Sequence, residues 1–245
     1  MFSRLAIPLV LLFVPLTAHA QEDAGWTGEF ALNGSATTGN NKTTDVGFAT
    51  KISNRGSDWR HNFKASADYG RNSGNTNKRR YRLGYKIGRD LASRVYGFAN
   101  ADYYSDDFGA YKHGRFLGAG VGYSVLVDGP TLWRLESGAG YRSQKARLAA
   151  GTPGGEASRE EEFASARLFS DFEHLFHENF KVTNDTELFY SDIDTFFINE
   201  VAATSKMFDR LALRVSFRVE THTDVPEGRE KTDTISRIGI VYTMK

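Results

Sequence analysis

Asp192-x-Asp194 and His222-x-Asp224 hold residue types that could activate a water, with a histidine as general base and carboxylates to orient it. Other constellations fall short. A lipase-like site pairs a base with a nucleophile as His-x-Ser, and none of His61, His113, His174, His177 or His222 has Ser two residues later. His174 and His177, with Glu173 and Glu178, carry metal-ligand types in one short turn. A solvated turn accounts for them without a metal. The series Gly118, Gly120, Gly122 has the wrong spacing for a phosphate loop, and no helix follows it. Glycines on one strand face more simply make room for bulky neighbours such as Phe98 or Arg134. No nucleotide, flavin or haem signature is present, so no cofactor and no metal is expected.

The most extensive polar chemistry lies in alternating bases. From Trp59 to Tyr69 one parity reads Trp59, His61, Phe63, Ala65, Ala67, Tyr69, and the other Arg60, Asn62, Lys64, Ser66, Asp68. Across the chain the polar parity carries Lys51, Arg60, Lys64, Arg80, Arg82, Lys86, Arg134, Arg142, Arg167, Lys181, Arg214, Arg218 and Arg237. Against them stand Asp45, Asp68, Glu136, Asp171, Asp185, Glu187 and Glu220. Basic rings lining a pore favour anions, so Arg60, Lys64, Arg80, Arg82, Lys86, Arg134, Arg142, Arg214 and Arg218 form a candidate anion path. Like charges this close need anions or carboxylates between them. Two readings follow: a narrow channel for small anionic or polar solutes, or a plug in which opposite charges pair and hold the interior shut.

Such a parity needs strands, because only strands send successive side chains to opposite faces. Ten steps of about 3.3 Å, tilted by about 40°, climb roughly 25 Å, the height of the apolar band of a membrane barrel. Twelve segments read this way: about Trp26–Thr37, Thr43–Ser53, Trp59–Tyr69, Arg79–Gly88, Arg94–Tyr104, Arg115–Leu126, Leu132–Ser143, Glu162–Phe172, Asn179–Ser191, Phe196–Ser205, Leu211–Thr221 and Thr234–Met244. The fifth is ambiguous, since Tyr96 and Phe98 oppose Val95, Ala99, Ala101 and Tyr103. The tenth is the weakest, and ten or fourteen strands stay open as counts. Compact turns such as Asn54–Ser57 alternate with longer connections such as Arg71–Asn77, Gln144–Arg159 and His222–Thr232, as in an outer-membrane barrel. Trp26, Trp59, Tyr69, Tyr81, Trp133, Tyr141, Tyr190 and Tyr242 stand near segment ends, where aromatic girdles sit. A soluble sandwich or lipocalin-like barrel also alternates. The charged parity, the aromatic segment ends and the short-long turns favour an all-β transmembrane antiparallel up-and-down barrel.

The ends of the chain agree. Arg4, the apolar Leu5–Leu16 and the small-x-small Ala18-His19-Ala20 make residues 1–20 an export signal, with the barrel domain spanning 21–245. Of 31 basic residues 30 remain once Arg4 is removed, against 30 acidic, a balance that argues against nucleic acid. There is no cysteine, so neither disulfides nor thiolate metal sites are available. The mean hydropathy of −0.45 hides a barrel, because half of each strand faces a polar interior. At the far end Arg237-x-Gly239-x-x-Tyr242-x-Met244 resembles the last-strand signal read by the barrel-assembly machinery, departing from it at Met244, where an aromatic is usual.

The start of the predicted barrel carries a family resemblance. Gly25-Trp26-Thr27-Gly28-Glu29, then Leu32, Gly34-Ser35 and Thr38-Gly39-Asn40-Asn41, are similar to the salt-induced outer-membrane protein (YdiY-like) family. Trp59-Arg60-His61, Asn72-Ser73-Gly74-Asn75 and Gly118-x-Gly120-x-Gly122-Tyr123 are consistent with it. The resemblance implies an outer-membrane β-barrel of undefined function, with a link to salt or osmotic stress, and brings no catalytic residues. Outer-membrane lipid and lipopolysaccharide, the assembly machinery and small anionic solutes are the expected partners. The Asp192, Asp194, His222 and Asp224 set resembles omptin-type outer-membrane proteases, so a hydrolase at the extracellular rim is the alternative. Acids there could equally meet divalent cations bound to lipopolysaccharide.

Overall fold

The computed structural model describes residues 25–38, 43–56, 58–72, 75–148 and 158–244. The expected export segment, and Gly39-Asn40-Asn41 and Ser73-Gly74 of the resemblance, lie outside the described residues. Twelve strands follow one another: β1 (Trp26–Thr38), β2 (Thr43–Arg55), β3 (Trp59–Asn72), β4 (Asn75–Asp90), β5 (Val95–Asp106), β6 (Tyr111–Leu126), β7 (Thr131–Arg147), β8 (Ser158–His177), β9 (Phe180–Tyr190), β10 (Thr195–Lys206), β11 (Leu211–His222) and β12 (Thr232–Met244). Each pairs antiparallel with its chain neighbours, and β1 pairs with β12, so the sheet closes with no free edge. The expected twelve-stranded barrel is what forms. Closure places both described termini at one end, here the terminal end; the β1–β2, β3–β4 and equivalent connections mark the loop end.

Alternation separates two faces. Leu32, Val46, Phe48, Leu83, Leu117, Val121, Val215, Ile238 and Ile240 point outward and stay exposed, as a wall facing hydrocarbon requires. Trp26, Trp59, Trp133 and Tyr242 stand toward the terminal end of that wall, and Tyr69, Tyr81, Tyr141 and Tyr190 toward the loop end. Polar groups on the wall bond one another: Trp133 Nε1 donates to Ser170 Oγ at 3.0 Å, and Asn199 Nδ2 to Thr186 Oγ1 at 2.8 Å. Local pairing of this kind removes the cost of an unsatisfied group in lipid. His61 is also outward, against the Tyr85 hydroxyl at 2.9 Å. The β6–β7 turn passes through Gly129 at φ +80°, a left-handed conformation that suits a residue without Cβ.

Three sequence expectations change. The ambiguous fifth strand resolves with Tyr96 and Phe98 inward and buried, where their rings lie on β6. A Cβ at Gly122 would run into the Tyr96 ring, and one at Gly120 would sit 2.9 Å from Phe98 Cζ. The inward glycines thus make room for Tyr96 and Phe98, and for Phe116 beside Gly118, but not for Arg134, which turns to Asp171. The turn expected at Glu173–Glu178 is mostly strand, because β8 runs on to His177. Much of the Arg71–Asn77 connection is likewise strand, with Asn72 opposite Asn75.

The packed core is inside the barrel. Phe116, Phe189, Phe196 and Ile198 cluster in the loop half of the β6, β9 and β10 wall. Ala31, Ala212 and Val241 cluster in the terminal half beside β1 and β12, with Ala49 against them. Gly239, opposite Asn33, leaves room there for the Asn33 side chain.

Candidate functional site in the lumen

Charged side chains cross the lumen between strands that are distant in the ring. β3 and β9 are diametrically opposite in strand order, yet Lys64 Nζ lies 3.8 Å from Asp185 Oδ2. Both side chains keep accessible surface, at 53% and 39%, so the middle of the barrel has room for water. Next to this bridge Lys86 and Arg167 share Glu136, at 2.7 and 2.9 Å, and Arg167 also holds Glu187 at 2.5 Å. The Phe169 ring lies within reach of Lys64, Lys86 and Arg167, its face toward three cations.

The loop half is drier. Glu220 on β11 accepts from Arg82 Nη2 and Arg218 Nε, both at 2.6 Å, with Arg80 Nη1 at 3.8 Å. Arg80 also binds Asp106 at 2.6 Å. Since β4 and β11 are five places apart in the ring, this cluster too spans the interior. Lys78 pairs with Asp45 at 2.5 Å, both side chains almost wholly buried, and donates to Thr37 Oγ1 at 2.7 Å. Between these groups and the loops a cavity of about 50 Å³ remains, lined by Arg80, Arg82, Tyr104, Tyr111, Glu220 and His222 among others.

The candidate anion-path residues all face inward, but most are already engaged. Arg60 pairs with Asp90 and lies 4.7 Å over the Tyr96 ring. Arg134 binds Asp171 at 2.6 Å. Arg214 binds Glu29 at 2.6 Å and donates to Thr204. Arg218 holds Glu200 as well as Glu220. Arg142 differs: it is buried and stacks over Phe189 and Phe196 at 5.3 and 4.8 Å, with no carboxylate within ion-pair distance among the described residues. Asp68 pairs with Arg237 at 3.2 Å.

Sequence reasoning missed several inward acids, among them Glu29, Asp90, Asp102, Asp106, Glu173 and Glu200, and fewer inward bases, Lys78 among them. Glu29 and Asp102 share the parity of charged or polar neighbours, which is the signal that could have found them. Asp102 lay on the ambiguous strand, Asp90 and Asp106 just past the expected ends of theirs, Glu200 on the weakest, and Glu173 in an expected turn. Their presence brings the lumen close to charge balance.

The acid–histidine set is redistributed. The structure joins Asp194 to His222, Nδ1 to Oδ2 at 2.5 Å, while Asp192 and Asp224 stand exposed. Asp194 Oδ1 accepts from the backbone N–H of Thr223 and Asp224 at 3.1 and 3.2 Å. The His222 ring stacks on Phe196 at 4.0 Å. Asp194, in the β9–β10 connection outside the membrane-spanning strands, therefore pins the start of the β11–β12 loop. Burial pushes its carboxyl up, but the His222 hydrogen bond and charge, with the Asp224 N–H, outweigh that and hold it below the ordinary value. His174 bonds Thr131 Oγ1 at 2.7 Å, and no group of three metal-ligating side chains gathers among the described residues.

The barrel is similar to the NanC porin, at 12% identity over 87% of this chain and 98% of that chain, with a TM-score of 0.53. It is also similar to the KdgM porin, at 10% identity over 89% and 99% with a TM-score of 0.49. A third similar structure is the outer membrane channel DcaP of Acinetobacter baumannii, at 11% over 92% and 99% with a TM-score of 0.46. At these identities the likeness is one of fold, and the first of them carries it: a closed antiparallel barrel like that of a porin. No curated protein matches the chain. The family described as "Protein of unknown function, DUF481" matches residues 30–244, and the chain belongs to that family.

Proposed function

We propose that this DUF481 chain is an outer-membrane channel, narrow and bridged by ion pairs, that passes small polar solutes with little preference between anions and cations. The Lys64–Asp185 pair carries this reading. It joins opposite walls at mid-height, yet both side chains keep accessible surface, so the middle of the lumen has room for water and is not a packed core. Near balance of inward acids and bases argues for weak selectivity, since a ring of one sign is what discriminates ions. The anion preference expected from the base-rich parity gives way to this milder version. Membrane location rests on the apolar outer wall and its aromatic ends, export on residues 1–20, and assembly on Gly239, Tyr242 and Met244 of the last strand. Osmotic stress enters through the sequence resemblance alone, and within this reading the channel would admit small osmolytes. The hydrolase alternative gains nothing from the geometry, because Asp194 spends its acceptors on a loop.

The test is solute entry into liposomes holding the refolded protein. Swelling at similar rates in small neutral, anionic and cationic solutes is expected. Liposomes that swell no faster than empty ones would leave a closed structural barrel, the reading favoured by the packed Phe116, Phe189, Phe196 and Ile198 cluster.

A further inference from the structure

One hollow lies on the outer wall rather than in the lumen. Ala101 on β5 stands between Tyr85 on β4 and Leu117 on β6 in the same lateral row. A methyl between two large side chains leaves a gap, and Leu83, Tyr103 and Tyr141 complete its rim. The hollow measures about 520 Å³, within the roughly 300–1,000 Å³ of small-molecule sites. Its lining is mostly apolar and aromatic, with Arg115, Ser143 and Glu162 toward the loops, and Leu83, Tyr85, Leu117 and Tyr141 are exposed.

A cation stands at its loop end. Arg115 is on the outward parity of β6, opposite Tyr103 and Ser143, and is exposed. Among the described residues it has no ion-pair or hydrogen-bond partner. His113 and Lys145 face one another one step nearer the loops. Two acids are near: Glu162 accepts from the Tyr141 hydroxyl at 2.7 Å, and Glu160 stands opposite Lys145, so Arg115 is the base with neither beside it in an ion pair. An unpaired guanidinium on a hydrocarbon-facing wall is costly unless it reaches headgroups. At this height, just above the apolar band, its fork matches phosphate.

The geometry points to a lipid site: an acyl chain in the Ala101 hollow, and a phosphate of the same lipid on Arg115. Resting on the outer-membrane reading, with the loop end outside, the occupant is lipid A, the phosphorylated glycolipid that anchors lipopolysaccharide. Charge complementarity selects it, since one unpaired base crowns one apolar furrow. His113 and Lys145 suit a headgroup carrying more than one phosphate.

Native mass spectrometry of the refolded full-length barrel in detergent, with hexa-acyl lipid A added, tests the site. Wild type should retain the lipid. Arg115→Gln should weaken retention about tenfold, the loss of one charge-assisted phosphate contact. Ala101→Trp, which fills the hollow from the lipid side, should abolish it while leaving the barrel folded by circular dichroism. Lipid A stripped of phosphate should bind wild type no better than lipid A binds the Arg115→Gln variant. Equal retention by wild type and both variants overturns the site, as does phosphatidylglycerol binding as tightly as lipid A. Failure of the barrel to insert into vesicles would instead overturn the membrane reading beneath it.

Discussion

Removing the Glu220 charge should destabilise the barrel strongly. The carboxylate is 8% exposed and receives two guanidinium contacts at 2.6 Å, with a third guanidinium at 3.8 Å. Breaking a buried pair from one side costs about 3–5 kcal/mol, because the surviving charge is left without a partner. Here three cations would survive: Arg80 keeps Asp106 at 2.6 Å and Arg218 keeps Glu200 at 3.3 Å, but Arg82 has no other carboxylate partner among the described residues. Glu220→Gln retains an amide oxygen that can still accept one bond, so about 3 kcal/mol, the lower end, is expected. Urea unfolding in lipid vesicles, followed by tryptophan fluorescence and extrapolated linearly, measures it. Glu173→Gln is the control: that carboxylate is 34% exposed and holds one Lys181 contact at 3.2 Å, so it should cost about 0–1 kcal/mol. Adding Arg82→Gln to Glu220→Gln should recover part of the loss, since one unpaired charge goes with it. A Glu220→Gln barrel within 1 kcal/mol of wild type would refute the claim that this cluster holds the loop half together.

Other outcomes follow from the same contacts. Gly120→Val should cost about 1–3 kcal/mol and lower refolding yield, because its Cβ would meet Phe98 and the Ser137 carbonyl; unfolding in vesicles reads this. The Asp194 carboxyl titrates below its unfolded value, so its contribution is fully present above about pH 4 and is lost as pH falls through the lower folded value. Acid-protease cleavage within the β11–β12 loop should therefore rise at low pH in wild type, and be raised and flatter with pH in Asp194→Asn. Arg142→Met should be close to neutral in the same unfolding assay, since it trades an unpaired buried cation over Phe189 and Phe196 for an apolar chain.

How much of this was legible in the sequence depended on which side of the wall a residue faced. Outward residues obey one rule, apolar with aromatic ends, so Trp59 to Tyr69 could be read residue by residue. The same run placed Arg60 and Lys64 inside. Inward residues obey no single rule. Tyr96 and Phe98 are inward because Gly120 and Gly122 on the next strand make room for them, a condition set by cross-strand register and invisible along one strand. Pairing was equally hidden: Lys64 and Asp185 are joined only because closure puts β3 opposite β9. Bases near one another in sequence suggested an anion strip, whereas the acids that neutralise them come from across the barrel. For the same reason Asp194 found His222 rather than Asp192.

Single-channel recording of the refolded protein in planar bilayers tests the central claim most directly. Wild type should give small, steady currents with an anion-to-cation permeability ratio near one. Lys64→Ala with Asp185→Ala, which removes the bridge between opposite walls, should raise the conductance without changing that ratio. Silence from both proteins would contradict the account, and so would a double variant that conducts no better than wild type.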